Sequence, residues 1–194
     1  MRPPTLVLAS TSIYRRQMLE RLQVDFLTDA PPVAEHAVPG ETPLALVTRL
    51  AREKAGSLAE KYPNALIIGG DQVAALGERI LGKPESPEQA REQLRQASGH
   101  ALVFLSGLCL YNSAKSAWQV EVVPFTVHFR SLDEATIDRY LQRDQPFDCA
   151  GSFRSEGLGV ALCERMEGED PTSLLGLPLI ALCRMMRHEG YPIP

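Results

Sequence analysis

Residues 5–9 are almost continuously apolar, with Leu6, Val7, Leu8 and Ala9 giving way abruptly to Ser10, Thr11 and Ser12. A short apolar run bounded by hydroxyls predicts a buried strand over 5–9 that empties into a polar loop. Met18, Leu19 and Leu22 then recur at helical spacing and predict a helix over 15–22, and 25–29 reads as a second strand. Prolines at 31, 32, 39 and 43 make 31–43 a loop. Proline suits the first helical turn, so a helix is expected from Pro43 to about residue 62, with Leu44, Val47, Leu50, Ala51, Ala55 and Leu58 forming its apolar stripe.

The run 65–70 predicts another buried strand, one that ends where Asp71 and Gln72 begin. Residues 73–76 and 79–81 flank Gly77 and Glu78 and pair as a hairpin. A helix over 87–98 stops at Gly99. Residues 101–111 and 120–130 are rich in β-formers and read as adjacent antiparallel strands, followed by helices over 133–143 and 178–188. Met185 and Met186 read as core filler on the last helix. Helices interleaved with strands, plus a hairpin, predict an α/β fold with a mixed sheet.

Composition narrows the class. The chain has 194 residues, 44% hydrophobic and 23% charged, as expected of a soluble globular protein rather than a disordered or fibrous one. A net charge of −4 and the lack of a basic stripe argue against nucleic-acid coating and against an anionic membrane surface. No apolar run reaches the ~18 residues of a membrane span. After Met1-Arg2-Pro3-Pro4, the stretch 6–9 is too short for a signal-peptide core. Cys109, Cys149, Cys163 and Cys183 are scattered with no C-x-x-C pair and read as reduced, mostly buried thiols of a cytoplasmic protein. The four histidines form no ligand spacing and read as structural or surface residues.

Six places could carry chemistry. Ser10-x-Ser12-x-x-Arg15-Arg16 puts hydroxyls and two guanidinium groups at a helix start, where open backbone N–H groups suit a polyphosphate. The plainer reading is a serine cap followed by solvated arginines. Lys54 lies three residues after Ala51 and seven after Val47, on the inward stripe of its helix, so it either snorkels out or faces an anion. Asp71 follows a buried strand and a Gly69-Gly70 pair, which fits either a ligand site or a turn aspartate. Lys83 stands in Gly82-Lys83-Pro84, on a stiff turn. Glu35 sits in the proline-bounded loop, where a carboxylate could join phosphate oxygens around Mg²⁺. Glu156 closes Gly151-Ser152-Phe153-Arg154-Ser155-Glu156-Gly157, a binding loop or a surface turn. Together these basic groups, hydroxyls and carboxylates suit metal-assisted chemistry on a nucleoside polyphosphate.

The ordered set Ser10-x-Ser12-x-x-Arg15-Arg16, Glu35, Glu53-Lys54-Ala55, Gly70-Asp71-Gln72, Gly82-Lys83-Pro84, Gly151-Ser152-Phe153 and Gly176-Leu177-Pro178 resembles the Maf family of nucleoside triphosphate pyrophosphatases. The resemblance runs through essentially the whole chain. It implies an ITPase-like (Maf-type) α/β fold, one domain over 1–194 with two lobes around a central cleft. It also implies cytoplasmic hydrolysis of a nucleoside triphosphate to monophosphate and pyrophosphate with Mg²⁺ or Mn²⁺. By that resemblance Asp71 is the proton acceptor, with Lys54 and Lys83 catalytic beside it. Ser10, Arg15 and Arg16 bind phosphate, and Glu35 with Asp71 binds metal.

Tyr14, Gln72 and Glu156 resemble the branch acting on 7-methyl-GTP; the pyrimidine-nucleotide branch is expected to carry Arg, Thr and Gln there. An aromatic face attracts the cationic methylated ring, and a carboxylate accepts from guanine N1–H and its amino group. The implied role is house-cleaning, keeping modified nucleotides out of nucleic acids, in an enzyme expected to dimerise. The alternatives are a pyrophosphatase for dTTP or UTP, and a nucleotide-binding regulator of cell division. Two positions depart from the family pattern. Ala34 stands where Val-Asp-Glu is usual, and Ile13 where proline usually follows the second serine.

Overall fold

The computed structural model describes residues 3–194; Met1 and Arg2, which entered the reading of the N-terminus, lie outside the described residues. The elements follow in the order β1 (Thr5–Ala9), α1 (Ile13–Glu20), β2 (Leu27–Asp29), α2 (Pro43–Gly56), β3 (Ala65–Leu76) and β4 (Arg79–Leu81). Then come α3 (Pro87–Ala97), β5 (Ala101–Asn112), β6 (Ala117–Phe129), α4 (Glu134–Asp144), β7 (Cys163–Glu167) and α5 (Leu179–His188). The strands form a mixed sheet in the order β2-β1-β3-β5-β6-β7, with β4 also on β3. β1 is parallel to β2 and β3, whereas β3–β4 and β6–β7 are antiparallel. This is the expected α/β class, a mixed sheet with five α-helices among the described residues.

The chain divides into two compact units. The first comprises the residues through Asp71, Ser106–Val123 and Asp170–Pro194. Its strands alternate sides with period two. Leu6, Leu8, Leu66, Ile68, Leu108 and Leu110 face α5, where Leu182, Met185 and Met186 are buried among them. Val7, Ala9, Ile67 and Cys109 face the other way, onto Ala51, Ala55 and Leu58. Two glycines let α2 lie tight on the sheet. A Cβ at Gly69 would sit 2.1 Å from the Ala51 carbonyl oxygen, and one at Gly107 would sit 2.3 Å from that of Val47.

The second unit holds Gln72–Leu105 and Pro124–Glu169. Phe104 and Phe129 each meet the Phe153 ring, at centroid distances of 5.7 and 5.3 Å. Leu94 of α3 and Ile137 and Tyr140 of α4 are buried, while Arg95 and Arg91 pair with Glu134 and Asp138 along the exposed side.

Most expected elements stand, with instructive shifts. The hairpin is present, Ala74 opposite Leu81 and Leu76 opposite Arg79. α1 starts at Ile13 because the Ser12 hydroxyl caps the Arg15 amide, so no proline is needed there. α2 ends at Gly56 rather than near residue 62, although Leu58 continues its buried stripe. β3 does not end at Gly70: it continues through Asp71 and Gln72 to Leu76, because Asp71 is buried with a partner and Val73, Ala74 and Ala75 extend the apolar run. Gly69 thus marks close packing against α2, and neither glycine marks a strand end. β7, lying over exposed and polar positions, had no apolar pattern to reveal it. All four cysteines are free, but only Cys109 is buried; the other three are partly exposed. Among the described residues, no helix is long and apolar enough to cross a membrane.

Candidate active site

Two elements deliver opposite charges to one point. α2 brings Lys54, 3% exposed, and β3 brings Asp71, 6% exposed, both fixed by the glycine-mediated contact between helix and sheet. The Lys54 Nζ donates to Asp71 Oδ1 at 2.8 Å and lies 2.7 Å from Glu35 Oε1. The lysine on the apolar stripe therefore does not snorkel out; it stays inside, paired with two carboxylates. Glu35 reaches it from the loop between β2 and α2 and remains substantially exposed.

Arg15 belongs to the same neighbourhood. Burial pushes its guanidinium pKa down, and the charges of Asp71 and Glu35 pull it back up. Its Nε donates to the Gly176 carbonyl at 2.9 Å. That carbonyl sits in a turn built by Asp170, which is 3% exposed. Asp170 accepts from the Thr172 amide and hydroxyl at 2.9 and 2.6 Å, and from the Ile180 amide at 2.8 Å. Gly176-Leu177-Pro178, singled out in the sequence without a role, is thus part of the support for Arg15.

Ser10 is buried, and its Oγ accepts from the Ser12 amide at 3.1 Å, which tightens the turn before α1. Ser12 supplies the helix cap. Tyr14 is half-buried in the first turn of α1. Arg16 is exposed, with its Nε on Glu20 Oε1 at 3.0 Å. The first unit therefore brings together Lys54, Asp71, Glu35 and Arg15, while Arg16 sits on the solvent side of α1.

The remaining candidates belong to the second unit. Gln72 is half-buried on β3, directly after Asp71, and Lys83 is exposed. The turn carrying Lys83 is anchored at Gly82, whose carbonyl accepts from the Gln93 side chain at 3.1 Å and the Gly151 amide at 3.2 Å. Ser152, fully buried at φ +54°, donates to Gln93 Oε1 at 2.5 Å. Gly151-Ser152-Phe153 therefore braces the lysine turn. Glu156 is exposed, and the Ser155 hydroxyl donates to its Oε2 at 3.1 Å. Composition could not single out Gln93, Asp170, Arg49 or Glu41: a capping aspartate or a buried glutamine looks like any other until its partners are in space.

A divalent cation suits this donor set. Glu35 and Asp71 each place a hard carboxylate oxygen on one cationic centre, the Lys54 ammonium. Among the described residues no group of three or more His, Cys, Asp or Glu side chains could hold a metal ion. One or two carboxylates completed by phosphate oxygens and water is the pattern typical of Mg²⁺.

Comparison with known proteins places the chain in a family. The family model for Maf-like proteins matches residues 5–189. A 7-methyl-GTP pyrophosphatase of Pseudomonas syringae pv. tomato (strain ATCC BAA-871 / DC3000) is 56% identical over 191 residues, covering 98% of this chain and 100% of that protein. The family match over most of the chain and the near-complete coverage by this relative show that the chain belongs to the Maf family.

Proposed function

We propose that the protein hydrolyses the triphosphate of 7-methyl-GTP between the α- and β-phosphorus, releasing the monophosphate and pyrophosphate. The observation that carries this reading is the buried Lys54 ammonium held between Asp71 and Glu35, with the Arg15 guanidinium within reach of both charges. Such a cluster offers fixed positive charge, a proton acceptor and hard oxygen donors in one place, which is what phosphoryl chemistry requires. The near-full-length relationship to a 7-methyl-GTP pyrophosphatase supports the substrate class.

Ser10, Arg15 and Arg16 bind the phosphates, the arginines through paired N–H donors that match phosphate oxygens. Asp71 accepts a proton from the water that attacks the α-phosphorus. As the bond from that phosphorus to the bridging oxygen breaks, Lys54 and Lys83 neutralise the charge arriving on the leaving pyrophosphate. Glu35 and Asp71 would hold Mg²⁺ or Mn²⁺, which when bound withdraws charge from phosphate oxygens. Tyr14 stacks on the cationic methylated ring, and Gln72 and Glu156 hydrogen-bond its edge.

The test is a substrate panel of 7-methyl-GTP, GTP, UTP and dTTP with Mg²⁺, assayed for pyrophosphate. Preferential release from 7-methyl-GTP is expected. Release of single phosphate, or full activity in Asp71→Asn, overturns the mechanism. An unchanged preference in Glu156→Gln overturns the assignment of selectivity.

A further inference from the structure

The segment that carries Glu35 has no regular structure from residue 30 to 42, and residues 34–40 are all exposed. Such a segment buries little apolar surface of its own and would open at small cost. Its order therefore depends on polar anchors, and one side chain of α2 supplies most of those at its far end. Arg49 Nε and Nη2 donate to Glu41 Oε1 and Oε2, both at 2.7 Å. The same Nη2 donates to the His36 carbonyl at 3.0 Å, one residue beyond Glu35. Glu41 Oε2 also accepts from the Val38 amide at 3.1 Å. The guanidinium thus grips residues 36, 38 and 41 together, directly or through the glutamate.

The pair is well placed to be strong. The Glu41 side chain is only 6% exposed and that of Arg49 27%. Two parallel N–H···O bonds between planar groups give both energy and orientation. Arg49 Nη1 lies on Glu53 Oε2 at 3.1 Å, which fixes the guanidinium plane against α2. Lys54, which receives Glu35, stands five residues further along the same helix, about 7.5 Å by helical rise. One rigid helix therefore holds both the loop and the partner of its carboxylate.

We infer that Arg49 and Glu41 form a clamp that positions the Glu35 carboxylate, making Arg49 a positioning residue for the reaction. This rests on the reading of Glu35 as a metal-binding carboxylate given above. Groups that orient a ligand from behind it commonly alter metal affinity or activity by about tenfold or more when removed. Lysine in place of arginine keeps the charge but loses the planar fork, so it restores the clamp only in part.

The experiment uses Arg49→Ala, Arg49→Lys, Glu35→Gln and the Glu35→Gln/Arg49→Ala double variant in the full chain. The first readout needs no metal and no activity. Exchange of the Val38 amide, which donates to Glu41 Oε2, is expected to accelerate about tenfold in Arg49→Ala while the buried part of α2 stays protected. The second readout is the Mn²⁺ concentration giving half-maximal pyrophosphate release. It is expected to rise about tenfold in Arg49→Ala and less in Arg49→Lys, with nucleotide KM within about twofold. In the Glu35→Gln background the Arg49 change is expected to add little, because the residue it positions has lost its charge. Unchanged exchange at the Val38 amide, an unmoved metal response, or a full Arg49 effect without Glu35 each overturns the clamp. An unmodified enzyme indifferent to metal would instead overturn the metal assignment, and the exchange result would still decide the clamp.

Discussion

Arg15 and Gly176, 161 positions apart in the chain, are joined by a 2.9 Å hydrogen bond from the guanidinium Nε to the glycine carbonyl. The bond fixes Arg15 at its inner end and leaves the forked end of the guanidinium to work on charge. Gly176 has φ +88°, a conformation that side chains rarely adopt, and a Cβ there would lie 3.6 Å from Arg15 Nε. Gly176→Ala should therefore cost about 1–2 kcal/mol of backbone strain. Relief of that strain would rotate the carbonyl away from Arg15. The expected outcome is a KM raised about five- to tenfold, read as roughly 1 kcal/mol of lost phosphate binding, with kcat less affected. Steady-state kinetics alongside a denaturation curve checks both halves. A variant that loses stability but keeps its KM would mean that the turn does not support Arg15.

Lys54 allows a sharper test, because burial sets two effects against each other. Lys54→Met gains apolar burial at a site that is 3% exposed, but leaves Asp71 buried without its ammonium. Stranding one member of a buried ion pair costs about 3–5 kcal/mol, more than a methionine side chain returns. The variant should unfold at lower denaturant than the parent by that order and should lose at least about 100-fold in kcat. Equilibrium unfolding in urea with single-turnover kinetics would measure both. A variant more stable than the parent would mean that the lysine is retained purely for chemistry.

The sequence made the scaffold of this site readable wherever hydrophobic spacing carried the information. Val47, Leu50, Ala51 and Ala55 placed Lys54 on an inward face, and Lys54 is inward. The apolar run before Asp71 marks a buried strand but ends it too soon, so that Asp71 is expected just past the strand rather than within it. The close approach that the Gly69-Gly70 pair allows is realised at Gly69, against the Ala51 carbonyl of α2, but which element makes the approach is not written in the local pattern. What stayed illegible was support at long range. Gly82, Gln93 and Ser152 form one hydrogen-bonded unit across 59 positions between glutamine and serine, and no local pattern announces it. Glu41 and Arg49 look like two ordinary surface charges until the loop between them is seen folded back.

That unit around Gln93 predicts a graded response at Ser152. The serine is fully buried with φ +54°, so its backbone is strained and its hydroxyl serves the Gln93 carbonyl. Ser152→Ala keeps the strain and removes the donor, leaving a buried amide oxygen unsatisfied at a cost of about 1–3 kcal/mol. Ser152→Gly removes the same donor but relaxes the backbone, and should be the milder change by roughly 1 kcal/mol. Because the Gln93 amide holds the Gly82 carbonyl beside Lys83, both variants should lower kcat, the alanine by about tenfold. Urea midpoints that rank alanine above glycine would contradict the strain account.

The Arg49–Glu41 pair gives the stability of the protein a signature on the acid side. Hydrogen bonds from Arg49, aided by the Val38 amide, hold the Glu41 carboxyl below its ordinary value of 4.5. A carboxylate whose pKa is depressed by folding contributes fully above its unfolded value and loses that contribution as pH falls through the folded one. The melting temperature of the parent should therefore exceed that of Glu41→Gln by a constant amount from about pH 8 down to pH 5. Below about pH 4.5 the gap should close, as protonation of Glu41 makes the parent resemble its amide variant. Asp29, Glu134 and Glu167 are held down by their own partners and titrate in both proteins, so their effect cancels in the difference. Thermal melts of the pair across that range measure it. A gap that stays constant down to about pH 3 would instead mean that folding does not depress the Glu41 carboxyl.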